Sequence, residues 1–128
     1  MNTALAGVRV LVVEDEYFLA DDMAQALQRA GAEIAGPVGN LAEAMAWLAS
    51  EHADAVVLDL NLAGRSGIEI ADALKERGVP FVFATGYDAA AIPERHRDVP
   101  LWEKPFDVDA LARAIARRGA SRAAAPAA

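Results

Sequence analysis

The sequence predicts an α/β domain: a doubly wound, five-stranded parallel sheet with helices on both faces. Three observations carry that prediction. Short β-branched runs alternate along the chain with apolar patterns of helical period. The strand runs are continuous rather than alternating, as in strands buried on both faces. The 128 residues amount to about one domain, large enough for an independent core.

The elements follow in order. Val8 to Val13 is a short β-branched run, cut off by Glu14-Asp15-Glu16. No basic leader precedes it, so it reads as a first strand and not as a signal peptide. Leu19, Met23, Ala26, Leu27 and Ala30 then recur at helical spacing, and Gly31 stands where a helix stop is expected. Glu33 to Val38 is a second, weaker strand. Leu41, Ala44, Met45 and Leu48 mark a second helix that Asn40 can cap. Ala55 to Leu58 is a third strand and ends on Asp59. Ile68, Ala71 and Leu74 give a third helix that stops near Gly78. Pro80 to Ala84 is the fourth strand and Leu101 to Glu103 a short fifth. Between them, Asp88 to Pro100 has no clear stripe and is bracketed by Pro93 and Pro100, so a short or irregular helix is expected. Val108, Leu111, Ala112 and Ile115 form the last helix. One domain is expected over 1–118, with a frayed, Ala-rich tail over 119–128.

Composition narrows the function. The chain is 55% hydrophobic and 24% charged, with 19 acidic against 12 basic residues and a formal charge of −7. That balance argues against non-specific nucleic-acid binding, which needs Lys and Arg to neutralise phosphates. There is no cysteine, which excludes disulfides and thiolate chemistry. No apolar run reaches the ~18 residues of a membrane span, and a cytoplasmic location is the expectation.

The chemistry is carried by residues at strand ends. Glu14 and Asp15 follow the first strand, Asp59 the third, Thr85 the fourth and Lys104 the fifth. Ligands of open parallel sheets bind outside the carboxyl ends of the strands, so this fold gathers all five on one edge. Three neighbouring acids repel one another unless a cation or a proton is shared among them. Oxygen ligands of this kind favour magnesium, which keeps several waters and accepts a substrate phosphate oxygen. A carboxylate beside it can act as nucleophile toward a phosphoryl group. Lys104 offers a compact positive charge, and Thr85 a hydroxyl, to phosphate oxygens. Singly, each has an ordinary role: an acidic first helical turn, a turn aspartate, a strand-end threonine, a surface Lys-Pro. Their coincidence in order at four strand ends is the signal.

That order, Glu14-Asp15, Asp59, Thr85 and Lys104-Pro105-Phe106, resembles the response-regulator receiver domain (CheY-like) of two-component signalling, over about residues 8 to 118. The resemblance implies the flavodoxin-like strand order 2-1-3-4-5 and Asp59 as phosphoacceptor. It further implies magnesium held by Asp15, Asp59 and the backbone carbonyl of Asn61, with Glu14 acting through a water, and a cis Lys104–Pro105 bond. The segment Pro80-Phe81-Val82-Phe83-Ala84-Thr85-Gly86-Tyr87 is similar to the "FAT GUY" subgroup. Its members are often single-domain regulators that work with histidine kinases of the HWE and related classes, which implies such a kinase as partner. Two positions depart from the wider family. Leu101 stands where most members have the aromatic that turns inward with Thr85, and Gly86-Tyr87 follows Thr85 in place of a small residue and a regular helix. Thr85, Gly86, Tyr87 and Leu101 are therefore the expected switch, with Tyr87 a candidate for the missing ring.

The function expected is a phosphorylation-dependent, protein-binding switch or a phosphate sink or shuttle, not an enzyme beyond catalysis of its own phosphorylation and dephosphorylation. Two rivals are a binding module that has lost phosphorylation and a magnesium-dependent phosphatase with an Asp nucleophile. Against the latter, Asn61 stands where such enzymes place a general acid. His52 and His96 are expected at the surface, the latter within the mixed-charge stretch Glu94-Arg95-His96-Arg97-Asp98. Met45 and Trp47 are expected in or beside the core.

Overall fold

The computed structural model describes residues 3–86 and 89–124. In chain order the elements are β1 (Arg9–Val13), α1 (Tyr17–Arg29), β2 (Glu33–Val38), α2 (Leu41–Ser50), β3 (Ala55–Leu58), β4 (Asn61–Leu62), β5 (Arg65–Ser66), α3 (Ile68–Glu76), β6 (Phe81–Thr85), β7 (Leu101–Glu103) and α4 (Val108–Ala124). Five strands form one parallel sheet in the order β2-β1-β3-β6-β7, which is the expected 2-1-3-4-5 counted over the sheet strands alone.

Period-two alternation divides the core into two layers. Val10, Val12, Val57, Val82 and Ala84 pack with Met23, Leu27, Leu111 and Ile115, beneath α1 and α4. Leu11, Val13, Val56, Leu58, Phe81 and Phe83 pack with Ala44, Leu48, Ile70 and Leu74, beneath α2 and α3. Residues on both faces of the central strands are buried, which is why these runs carry no polar alternation.

Local chemistry sets the helix ends. Asn40 caps α2 by accepting from the Glu43 N–H at 2.8 Å. After α1, Gly31 at φ 101° closes a Schellman motif: its N–H bonds the Gln28 carbonyl at 2.9 Å and that of Ala32 bonds Leu27 at 3.0 Å. Gly78, at φ 70°, ends α3 the same way, against Lys75 and Leu74.

Four findings differ from the reading of the sequence or refine it. After Asp59 the chain makes an antiparallel hairpin, β4 with β5, that no apolar pattern announces. The stretch expected as a short or irregular helix contains two 3-10 turns, Ala89–Ala91 and Glu94–His96, while Asp88 lies outside the described residues. His96 is not at the surface: it is wholly buried, because its ring edges face Phe81 and Phe83 while Asp72 takes its Nε2 at 2.7 Å. The backbone of α4 continues to Ala124, into the stretch expected as a tail, and 125–128 lie outside the described residues. His52 is exposed, as expected, and Met45 and Trp47 pack partly buried against the second layer.

Candidate functional site

Sheet register builds the site. Val13 pairs with Leu58, Leu58 with Phe83, and Phe83 with Leu101, so the strands end level. Glu14 and Asp59 are therefore side by side as the chain leaves β1 and β3. Thr85 pairs with Glu103 at the end of β6, and its carbonyl accepts the Lys104 N–H at 3.0 Å. Lys104 precedes Pro105 through a cis bond. Thr85, Glu14 and Asp59 are all buried, which is unusual for two carboxylates that share no helix or turn.

Carboxylate oxygens of Glu14, Asp15 and Asp59 all lie within 4.8 Å of one another. Lys104 Nζ reaches into this cluster, 3.1 Å from Asp59 Oδ2, 3.0 Å from Glu14 Oε1 and 3.4 Å from Glu16 Oε1. Burial, the largest influence, pushes the Glu14 carboxyl up to about 7, and the charge of Asp59 adds to it. The Glu16 N–H, 3.0 Å from Glu14 Oε2, and Lys104 pull the other way. For Lys104, burial opposes the charge, but hydrogen bonds to Glu14 and Asp59 outweigh it and hold the ammonium above its ordinary value.

Backbone donors fix the acids. Asp59 Oδ1 accepts the Asn61 N–H at 3.0 Å, so Asn61 sits directly against the phosphoacceptor candidate. Asp15 Oδ2 accepts the Ala63 N–H at 2.8 Å, which ties the tip of the β4–β5 hairpin to the acidic cluster. Ala63 takes φ 53°, and the neighbouring Gly64 N–H bonds the Asn61 side chain at 2.9 Å.

The donor set fits a hard divalent cation: carboxylate oxygens alone, from three groups of which two are buried. Glu14, Asp15, Asp59, Asn61, Thr85 and Lys104 thus converge on one edge. Leu101 is half-buried on β7 and packs into the α2–α3 layer, Gly86 is exposed, and Tyr87 lies outside the described residues.

Two neighbours were not read from the sequence as part of the site. Glu16 adds a third acid beside Lys104. Gly67 is buried under β3, where a Cβ would stand 2.6 Å from the Asp59 carbonyl oxygen. The signal for Gly67 was its place in Gly64-Arg65-Ser66-Gly67, eight residues past Asp59, but only the hairpin shows why the chain returns there.

A sheet of this order with acids, threonine and lysine at its carboxyl edge defines a receiver-type α/β domain. The family model for the response regulator receiver domain matches residues 10–116, and the chain belongs to that family. Phosphorylation on an aspartate by histidine kinases and dependence on magnesium are general to its members. Among relatives, the transcriptional regulatory protein PdtaR of Mycobacterium tuberculosis is 32% identical over 111 residues, 84% of this chain and 54% of its own length. The chain spans about half the length of the curated relatives it matches. Among solved structures, SdrG from Sphingomonas melonis Fr1 superposes with a TM-score of 0.75 at 38% identity, covering 88% of this chain and 95% of SdrG. The PhyR receiver domain of Erythrobacter litoralis superposes at 0.76 with 30% identity, covering 89% and 91%. SdrG has also been solved in a BeF3-activated conformation. Among the described residues no helix is long and apolar enough to cross a membrane.

Proposed function

We propose that the chain accepts one phosphoryl group on Asp59 from the phosphohistidine of a sensor kinase, in a magnesium-dependent step, and signals through the change this makes at its surface. The observation that carries this reading is the position of Asp59. It is buried, 3.1 Å from Lys104 Nζ, with Glu14 and Asp15 oxygens within 4.8 Å.

In the proposed step the Asp59 carboxylate attacks phosphorus. A P–O bond forms, the P–N bond to the donor imidazole breaks, and the electron pair stays on nitrogen. Asp15, Asp59 and the Asn61 carbonyl are the proposed magnesium ligands, with Glu14 acting through a water. Bound there, magnesium supplies positive charge against the phosphoryl oxygens. Lys104 already bonds the acceptor carboxylate and stays with the product as a partner for a phosphoryl oxygen. Thr85, buried at the neighbouring strand end, donates its hydroxyl to another oxygen and moves toward it. Gly86, Tyr87 and Leu101 transmit that movement. A kinase of the HWE class is the proposed donor, from the PFxFATGY segment. The output is binding of a downstream protein or onward phosphotransfer. The only catalysis proposed is of the chain's own phosphorylation and dephosphorylation.

The test is intact-protein mass after incubation with acetyl phosphate, with and without magnesium, beside Asp59→Asn. A magnesium-dependent gain of one phosphoryl group, absent from the variant, is expected. No gain in the wild-type protein would favour a phosphate-independent binding module, and full labelling of Asp59→Asn would sink Asp59 as nucleophile.

A further inference from the structure

Behind the site lies a buried group that the phosphoryl chemistry does not use. His96 closes the second 3-10 turn of the β6–β7 connection and is fully buried. Its ring meets Phe81 and Phe83 edge to face, with centroids 6.0 and 6.2 Å away. Its Nε2 is 2.7 Å from Asp72 Oδ1 on α3. A carboxylate can only accept, so Nε2 carries the proton. Nδ1, buried as well, has no partner.

The surrounding charges converge on that contact. Arg95 grips the same carboxylate with two bonds, Nε to Oδ1 at 2.8 Å and Nη2 to Oδ2 at 3.0 Å. Lys75, on the next turn of α3, donates to the Arg95 carbonyl and to Asp98 Oδ1. Thus a connection without a regular helix is held on α3 by one histidine, two cations and two acids. The contact combines charged bonds on a half-exposed carboxylate with one buried ring nitrogen that lacks a partner.

The latch also shares a face with the site. Phe81, Phe83 and Thr85 are two residues apart on β6 and lie on the same side of the sheet. His96 rests on the first two of that file, and Phe83 pairs with Leu58, the residue before Asp59. Leu101 pairs with Phe83 on the neighbouring strand, so the edge of the sheet there carries a leucine and no ring.

We propose that His96, held by Asp72, is a positioning residue of the switch: a latch docking residues 89–100 onto α3 and against the file that ends in Thr85. Loading of Asp59 and opening of the latch are then two ends of one equilibrium, and weakening either end shifts the other by the same factor. The inference rests on Asp59 as phosphoacceptor.

Two measurements on the full chain test it. The first is magnesium-beryllofluoride affinity by calorimetry for the wild-type protein, Asp72→Asn, His96→Gln and Asp72→Glu. The first two variants should bind about fivefold more tightly or better, and Asp72→Glu, which keeps the charge, should return toward wild type. The second is amide hydrogen exchange without beryllofluoride, which should quicken over 89–100 in the first two variants and stay unchanged in β1 and α1. Unchanged or weaker affinity in folded variants overturns the latch, as does exchange that quickens evenly along the chain. If the wild-type protein binds no beryllofluoride, the Asp59 reading fails and exchange alone decides. Quickening confined to 89–100 then upholds the docking contact alone and overturns its coupling to the site, and its absence overturns both.

Discussion

At the scale of single residues, the site is an arrangement of charges that would not hold together alone. Glu14 and Asp59 are buried beside each other, and Lys104 is the cation that keeps them there. Removing one partner from such a cluster leaves the others uncompensated in a poor solvent for charge. Asp72 shows the opposite balance. Hydrogen bonds from Arg95 first, then His96, hold its carboxyl down at about 2, against an ordinary 3.8. A depressed acid contributes stability that is present above its unfolded value and lost as pH falls through its folded one. Arg95 and His96 face Asp72 from the β6–β7 connection, and Lys75 flanks it on α3. Asp72→Asn should therefore cost stability at neutral pH. Its side chain is 45% exposed, so solvent limits that cost to about 1 kcal/mol or less. In urea melts the gap to wild type should narrow as pH falls from 3.8 toward about 2; a constant gap would remove the charge from the explanation.

At the scale of elements, most of the fold was legible. Continuous β-branched runs such as Val10 to Val13 and Ala55 to Leu58 can hardly serve except as strands covered on both sides. Gly31, Gly78 and Asn40 mark helix ends by chemistry that acts within a few residues. The convergence of Glu14, Asp59, Thr85 and Lys104 followed from strand ends and one topological rule. What escaped was set by contacts distant in sequence. His96 stands between two arginines, and nothing local says that Asp72, 24 residues earlier, and two phenylalanines enclose it. The β4–β5 hairpin is two residues a side, too short for a pattern. Gly67 depends on that hairpin returning under β3. Gly67→Ala should push the Asp59 carbonyl aside, costing about 1–3 kcal/mol and slowing labelling by acetyl phosphate. Labelling at the wild-type rate in a folded variant would show that the close approach does not matter to Asp59.

At the scale of the molecule, magnesium held by the acidic cluster, as proposed, would couple cation binding to stability. A ligand that binds the folded state alone stabilises it by about 2.7 kcal/mol at a hundred times its dissociation constant. Magnesium should therefore raise the melting temperature, and Asp15→Asn should abolish most of that rise. An equal rise in the variant would place the cation elsewhere. The same geometry has a consequence for folding. Lys104 meets Glu14 across 90 residues and Asp59 across 45, through strands that pair in parallel only after their crossovers close. The proposed acceptor site thus joins residues from β1, β3 and the end of β7, and it is complete only once those strands are paired. On the proposed function, a copy whose central strands have not paired would have nothing to receive the signal, so responsiveness itself would report that the sheet's centre has formed.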